Sequence, residues 1–494
     1  MKRISLIRHG QSLGNKKRII QGTNTDYELT EEGVEYITSL AKENKSQFAS
    51  RKIIYTSPLK RARQTAEILS KVVGIKNVVE SPLLVEFNPG ILSEKSHDEA
   101  REKYPEAYAV WLERKDLDRI PFAEKGNELQ ARVLAFLTRY IEQDNYDDII
   151  VSHAGFIRCF INTILSRERT TPIEIHNGVV YELKDPLQNL SIEKKDRAMT
   201  SNVYVIETHE GKYVVKQKRR SVNNKDREEK KILSILDTKM HGIPVIYGLF
   251  DDGEKSYKVL KHIEGEHIYG SLDREYEIAL LREFKVMSKN LAAISSSEFE
   301  TLDIIDDLKK MAKTCRAYYQ KKYVNELCTN YRNIAKLNQS EYVLSHNDLN
   351  RDNILFKRAE DGMIHANFID WEGIDRSPRE YQIATFLTSS FLIEGYSVGK
   401  VMKLAEAMEP CIDKDFLSYL MQIRVFKGLH FFAEQRNEFT LANQGVSKEI
   451  LIKYYNASEQ IKEYRLHEGF DKKSSVEYFR RLIELRGEEN EQTI

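Results

Sequence analysis

The chain has 494 residues, 41% of them hydrophobic and 31% charged, with 76 basic and 76 acidic side chains. That apolar content builds genuine cores and excludes a mainly disordered or collagen-like chain. The balanced charge of both halves lacks the gross positive excess of a nucleic-acid binder.

No stretch approaches the roughly 20 apolar residues of a membrane span. The opening Met1-Lys-Arg-Ile-Ser-Leu-Ile-Arg8 meets charge too early for a secretory signal. Cys159, Cys315, Cys328 and Cys411 are scattered without CxxC spacing. A disulfide framework is therefore not expected, and a cytoplasmic location is.

In chain order, residues 4–7, 52–55, 78–85, 148–151 and 179–183 are short, rich in Ile and Val, and bounded by polar or turn residues, so they read as strands. Between them lie helical patterns. One opens at Thr30 with Glu31 and Glu32 in its first turn, and others cover about 61–73, 128–143 and 156–165. This alternation predicts an α/β layer with a mostly parallel sheet, whose reactive groups sit beyond the strand C-terminal ends.

The chain then turns polar. The expected division is a first domain over 1–186, a linker over 187–198, a second domain over 199–480 and a polar tail over 481–494. The second domain begins with a hairpin, 203–208 and 212–217 around His209-Glu-Gly211, followed by a charged helix over 226–237 and strands near 245–250 and 256–263. Beyond Asp273 the pattern is mostly helical, apart from a strand-like passage over 342–371.

Three predicted strand ends in the first domain carry cationic or imidazole side chains. Arg8-His9-Gly10 follows the first, Thr56-Ser-Pro-Leu-Lys-Arg61 follows the second, and Ser152-His153-Ala-Gly155 follows a late one. Neutral imidazole is a competent nucleophile toward phosphorus, and clustered cations stabilise the charge spread over phosphoryl oxygens. Lys16, Lys17, Arg18, Lys60 and Arg63 read as solvated charges more than as ligands, but they flank the expected pocket and leave room for a substrate with more than one negative group.

With these motifs in register, residues 1–185 resemble the histidine phosphatase (phosphoglycerate mutase-like) superfamily. The resemblance implies a three-layer α/β fold and catalysis without a cofactor. It also implies His9 as the phosphorylated nucleophile, with Arg8, Arg61, His153 and Asn15 around the phosphoryl group. Glu86, in Leu84-Val-Glu86-Phe-Asn-Pro-Gly90, occupies the family's acid–base position. Ile91-Leu-Ser-Glu94 and Gly126-Asn-Glu128 depart from the family's usual Trp-Glu-Gly and Gly-Glu-Ser. Both lie in the variable insertion that shapes the substrate pocket; its shortness favours phosphatase over mutase.

The second domain contains His346-Asn-Asp348-Leu-Asn-Arg-Asp-Asn353, followed by Phe368-Ile-Asp370. An Asp, an Asn five residues on and a second Asp after a strand suit a hydroxyl-activating base and two oxygen ligands for magnesium. Upstream, Lys212-Tyr-Val-Val-Lys216 reads as a strand and Arg227-Glu-Glu229 opens a helical face with Leu233 and Leu236. Lys218 is the alternative to Lys216, and Glu228 the alternative to Glu229.

This half resembles aminoglycoside phosphotransferase and choline kinase-like enzymes over about 195–480, which implies a bilobal protein-kinase-like α+β fold. Carried over residue by residue, Asp348 is the base and Asn353 and Asp370 hold magnesium. Lys216, partnered by Glu229, anchors ATP, and Ser201 and Asn202 occupy the phosphate-loop position. Asn347 and Asn350 replace the family's common Gly and His near the acceptor.

The expectation is a bifunctional enzyme, a histidine phosphatase joined to a Mg2+- and ATP-dependent kinase, acting on a small-molecule phosphoester and a small hydroxyl acceptor. A nucleic-acid or nucleotide end-processing enzyme is the alternative, disfavoured by the balanced charge. A regulatory scaffold with one active half is another, disfavoured by two complete motif sets. No membrane partner is expected.

Overall fold

The computed structural model describes residues 2–24, 26–113, 117–195, 201–294, 301–314, 327–328, 330–434, 453–454, 456–461 and 463–465. Cys315, Thr200, residues 196–198 of the expected linker and the expected tail 481–494 lie outside the described residues. The chain divides into two compact units. The first comprises Met1–Arg227 with Val245–His262, and the second Glu228–Pro244 with Ile263–Ile494.

In the first unit, β1 (Lys2–Arg8), β2 (Ile54–Thr56), β3 (Val78–Glu80), β4 (Tyr146–Ser152) and β5 (Val180–Lys184) form one sheet in the order β3-β2-β4-β1-β5. The first four strands run parallel and β5 closes the edge antiparallel. Side-chain alternation sorts the core into two layers. Ile7, Ile54, Ile149 and Val151 pack with Ile37, Ala41, Ala62, Ala66 and Leu69 from the helices Glu31–Glu43 and Lys60–Val73. Ile4, Leu6, Tyr55 and Ile150 face Leu134, Phe136, Tyr140, Phe156 and Phe160 from Gly126–Ile141 and Ala154–Ile164.

Thr30 caps the first of these helices, accepting from Gly33 N, as the sequence suggests. The strand expected over 78–85 stops at Glu80. Pro82, which has no N–H for a ladder, starts a 3₁₀ turn instead.

The same unit contains a second, antiparallel sheet: β6 (Ser191–Lys195), β7 (Asn202–Thr208), β8 (Gly211–Lys218), β9 (Ile246–Asp251) and β10 (Ser256–Lys261), in the order β6-β7-β8-β10-β9. Part of the expected linker is therefore the edge strand β6. Its Glu193-Lys194-Lys195 reads as a solvated connector because charge is what keeps an exposed sheet edge from pairing further.

Alternate residues of this sheet, Tyr204, Ile206, Tyr213, Val215, Tyr257 and Val259, join the core cluster of Phe136 and Tyr140. Polar groups tie the two together as well. Arg139 pairs with the buried Asp252 carboxylate, which also accepts from Tyr257 OH at 2.6 Å. Gln217 Nε2 donates to Thr138 Oγ1 at 3.3 Å.

The second unit is mainly helical, with Arg274–Ala292, Ile304–Thr314, Tyr331–Gln339, Arg379–Leu387, Val398–Met408 and Lys414–Glu434. Two short antiparallel ladders interrupt it: β11 (Tyr342–Ser345) with β14 (Asp375–Pro378), and β12 (Ile354–Arg358) with β13 (Ile364–Phe368). These match the strand-like passage expected there. Among the described residues no helix is long and apolar enough to cross a membrane.

Candidate active sites

Parallel β1, β2 and β4 end side by side, because Arg8 pairs with Ser152 and Thr56 with Val151. The residues just beyond these ends, His9, Ser57 and His153, are therefore brought together. His9 and His153 lie with ring centroids 5.1 Å apart. Arg61 is fully buried in the helix that starts after β2. A cavity of about 560 Å3 opens here, lined in part by Arg8, His9, Asn15, Arg61 and Glu86.

The hydrogen bonds specify how His9 is presented. Its Nδ1 faces the Gly10 carbonyl at 2.7 Å, so Nδ1 carries the proton. Nε2, which accepts from Arg61 Nε at 3.3 Å, then holds the lone pair. Burial, and then the charges of Arg61 and Arg8, push the His9 pKa well below its usual value, so the ring is neutral at pH 7. His153 is shifted the same way by burial, Arg61 and His9.

Each side chain is anchored. Arg8 Nη1 donates to Ile175 O at 2.7 Å and Arg61 Nη2 to Gly22 O at 3.3 Å. Burial lowers Arg61 to about 10, which still leaves it charged at neutral pH. His153 Nε2 lies 2.8 Å from Ser57 Oγ. Its buried Nδ1 has no partner among the described residues. Asn15 Oδ1 accepts from both N and Oγ of Ser12, closing a capping box at the helix Leu13–Lys16.

The Glu86 carboxylate accepts from Phe87 N at 2.8 Å and from Gly155 N at 3.0 Å. Gly155 is required at this point, since a Cβ there would come within 2.6 Å of Glu86 Oε1.

Sequence reasoning missed several contributors. Ser57 orients His153. Asn177 Nδ2 donates to His9 O at 2.8 Å, and Thr65 Oγ1 accepts from Gly10 N at 3.0 Å. Ser57 and Thr65 lie in or just after the Thr56–Arg61 motif without a signal of their own, whereas Asn177 lies far along the chain.

The flanking cations are solvated charges rather than cavity residues, as their sequence reading favours. Lys16 pairs with Glu32 at 2.8 Å and Arg63 with Glu80 at 3.9 Å, both on the surface, and none of Lys16, Lys17, Arg18, Lys60 or Arg63 lines the cavity. Arg158, Arg169, His97 and His176 line it instead.

In the second unit, Asp348 follows β11 and Asp370 follows β13. Asn353 Nδ2 donates to the Asp348 carbonyl at 2.7 Å and to its Oδ2 at 3.1 Å, which leaves the Asn353 Oδ1 lone pairs for another partner. Asn353 O accepts from Ile369 N at 2.9 Å, which fixes the two loops together. Asp370 itself sits in the left-handed region at φ 59°, between Ile369, whose carbonyl meets His346 Nε2 at 3.0 Å, and the fully buried Trp371. His346 is thus a structural prop.

Asp348 Oδ1 faces Asn350 Nδ2 at 3.2 Å and Arg424 Nη2 at 3.4 Å. Arg424 Nε donates to Ser389 Oγ, and Ser390 Oγ donates to Leu349 O. Both serines lie in a single π-helical turn, Thr388–Leu392. Arg424 had no signal in the sequence, being 76 residues beyond the Asp it meets.

Ser201, Asn202 and Lys216 fall in the first unit and Glu229 in the second. Asn202 stands opposite Gln217 across β7 and β8 and bonds its Oε1 at 3.2 Å. Oxygen donors of the Asn353 and Asp370 type suit a hard cation such as magnesium. No cluster of three His, Cys, Asp or Glu side chains with metal-binding geometry occurs among the described residues.

These two constellations define two enzyme classes, a histidine phosphatase and a phosphotransferase. Residues 4–192 match the histidine phosphatase superfamily (branch 1), and residues 195–397 match the phosphotransferase enzyme family. The chain belongs, in its first part, to the histidine phosphatase superfamily, and the stretch that follows matches the phosphotransferase family.

A 2,3-bisphosphoglycerate-dependent phosphoglycerate mutase of Parvibaculum lavamentivorans is 31% identical over 192 residues, 36% of this chain and 90% of that one. "Probable phosphoglycerate mutase GpmB" of Photorhabdus laumondii is 34% identical over 166 residues, 33% of this chain and 75% of its own. The solved phosphoserine phosphatase of Entamoeba histolytica, in complex with 3-phosphoglyceric acid, shares 28% identity over 37% of this chain and 90% of its own, with a TM-score of 0.31.

Proposed function

We propose that this protein is a bifunctional enzyme that hydrolyses a phosphomonoester through a phosphohistidine at His9 and phosphorylates a hydroxyl group of a small molecule from ATP. The observation that carries the first half is the neutral His9 imidazole, with Nδ1–H held by Gly10 O and the Nε2 lone pair set among Arg61, Arg8 and His153.

His9 Nε2 attacks phosphorus, and the P–O ester bond breaks. Glu86, as the carboxylic acid, donates its proton to the leaving alkoxide. The Glu86 carboxylate then takes a proton from water, whose oxygen attacks the phosphohistidine, and the N–P electron pair returns to Nε2 as inorganic phosphate departs. Arg8, Arg61, His153 and Asn15 hold the phosphoryl oxygens throughout. The short insertion after Gly90 favours hydrolysis over mutase transfer.

For the second half, Asp348 accepts the proton of the acceptor hydroxyl, and its orientation by Asn350, Asn353 and Arg424 fits that task. Asn353 and Asp370 would hold magnesium, which neutralises phosphate charge when bound. Lys216, with Glu229 as partner, and Ser201 and Asn202 are assigned to the nucleotide.

The test pairs two assays on full-length protein: release of p-nitrophenol from its phosphate, and ATP consumption screened over sugars, nucleosides, amino alcohols and RNA 5′-hydroxyl ends. His9→Ala is expected to abolish the first activity alone and Asp348→Asn the second alone. Phosphatase turnover surviving in His9→Ala would remove the covalent mechanism. Consumption only with RNA ends would replace the small-molecule acceptor with the end-processing alternative.

A further inference from the structure

The phosphatase cavity has a wall that its own family region does not complete. Arg169 lines the cavity. Its backbone N–H donates to Glu210 Oε1 at 2.9 Å, and its Nη1 donates to Glu210 Oε2 at 3.1 Å and to Asn127 Oδ1 at 3.0 Å. Glu210 sits at the turn joining β7 to β8, within the phosphotransferase-matching stretch, whereas Arg169 belongs to the phosphatase-matching one. We infer that Glu210 is a positioning residue of the phosphatase cavity, acting through Arg169, so that the phosphatase pocket is built by both family regions.

Several features make this more than a surface ion pair. One carboxylate grips both the main chain and the guanidinium of the same residue, which fixes the position of the segment as well as the direction of its side chain. The two side chains are only 24% and 22% exposed.

The guanidinium lies across Gly126, where a Cβ would come within 2.5 Å of Arg169 Nε. That glycine opens the helix Gly126–Ile141 and leaves room for the arginine. From the other side, Asn162 Nδ2 donates to Arg169 O at 3.1 Å and Thr171 O at 2.9 Å.

The turn that presents Glu210 is held by a local hydrogen bond and a glycine. Glu210 N donates to Thr208 Oγ1 at 3.2 Å, and Gly211 takes a φ of +124° that other residues rarely adopt. The strands behind it are rooted through Tyr204, Ile206, Tyr213 and Val215 in the same core as the phosphatase helices. Arg169 therefore occupies a fixed place in the wall, where it meets the part of a substrate beyond the phosphoryl group.

The inference rests on the phosphatase reading, and the two fail separately, since that reading is tested by His9→Ala. Here the probes are 3-phosphoglycerate, which adds a carboxylate, and inorganic phosphate, each as a competitive inhibitor of p-nitrophenyl phosphate hydrolysis by the full chain.

Wild-type protein is expected to bind 3-phosphoglycerate more tightly than phosphate. Arg169→Ala and Glu210→Ala should each narrow that ratio by about 3- to 10-fold, the size of one lost, partly exposed, charge-assisted contact. The double variant should be no worse than Arg169→Ala alone, because Glu210 acts through it. Glu210→Gln, which keeps an acceptor for the Arg169 N–H, should lie between; it also serves as the test variant if circular dichroism shows Glu210→Ala to be unfolded. Equal wild-type affinities, an unchanged ratio in the Glu210 variants, or additive losses in the double variant would each overturn the inference.

Discussion

Replacing Glu86 with Gln separates proton transfer from phosphate binding. The carboxylate takes two backbone N–H groups on Oε1, from Phe87 at 2.8 Å and Gly155 at 3.0 Å, and only the longer contact, Gly155 at 3.3 Å, on Oε2. A glutamine carbonyl in the Oε1 position keeps both short bonds, so the loop is retained and stability should change by less than about 1 kcal/mol. The amide has no proton to donate to a leaving alkoxide.

For an alkyl ester such as glycerol 3-phosphate, kcat/KM should fall by about 10²- to 10⁴-fold, the usual contribution of a positioned acid. That corresponds to roughly 2.7–5.4 kcal/mol at 1.36 kcal/mol per factor of ten. For p-nitrophenyl phosphate the departing phenolate is stable without a proton. Its kcat/KM, which reports steps up to phosphorylation of His9, should fall less than about tenfold. Its kcat should fall further, because the same group activates water in the second step, and a burst of p-nitrophenolate matching the enzyme concentration should appear in stopped flow. Equal losses in kcat/KM for the alkyl and aryl esters would refute the acid role of Glu86.

Nitrogen-15 spectra of the histidines should show His9 as the neutral Nδ1–H tautomer, titrating only below the ordinary value near 6.5; a midpoint at or above it would contradict the burial and Arg61–Arg8 argument. Because the folded value lies below the unfolded one, proton uptake favours the unfolded chain as pH falls below about 6.5, and this group's destabilisation grows until its folded pKa is passed. Chelation by EDTA should abolish ATP-dependent transfer and leave aryl phosphate hydrolysis intact; loss of both would remove the metal-independent phosphatase mechanism. Arg139→Ala should lower stability by about 2–4 kcal/mol in urea unfolding followed by fluorescence, because it leaves the buried Asp252 carboxylate with only Tyr257 OH and backbone N–H partners. A change below 1 kcal/mol would mean that those partners suffice.

Much of both sites was legible from one-dimensional pattern. Parallel strands align their C-terminal ends, so a strand followed by Arg-His-Gly, another by Ser-Pro-Leu-Lys-Arg and a third by Ser-His-Ala-Gly already place Arg8, His9, Arg61 and His153 in one neighbourhood. Asp348 and Asn353 are close because only four residues of a tight loop separate them. The period-two and helical patterns likewise marked nearly every element of the first sheet.

The tertiary structure alone decided what depends on distant chain. Ser57, Asn177 and Arg424 reach their partners only after folding. A surface-charged strand such as β6 is indistinguishable from a connector until its backbone finds β7. The presence of the β6–β10 sheet in the first compact unit was hidden for the same reason: alternation shows that a strand has an apolar face, never which neighbour will cover it. Here that neighbour is the helix Gly126–Ile141, and covering it brings Glu210 to Arg169. Local sequence determines the identity and orientation of reactive groups through short-range geometry, while the choice of covering surface is a competition among all apolar faces that only the folded chain resolves.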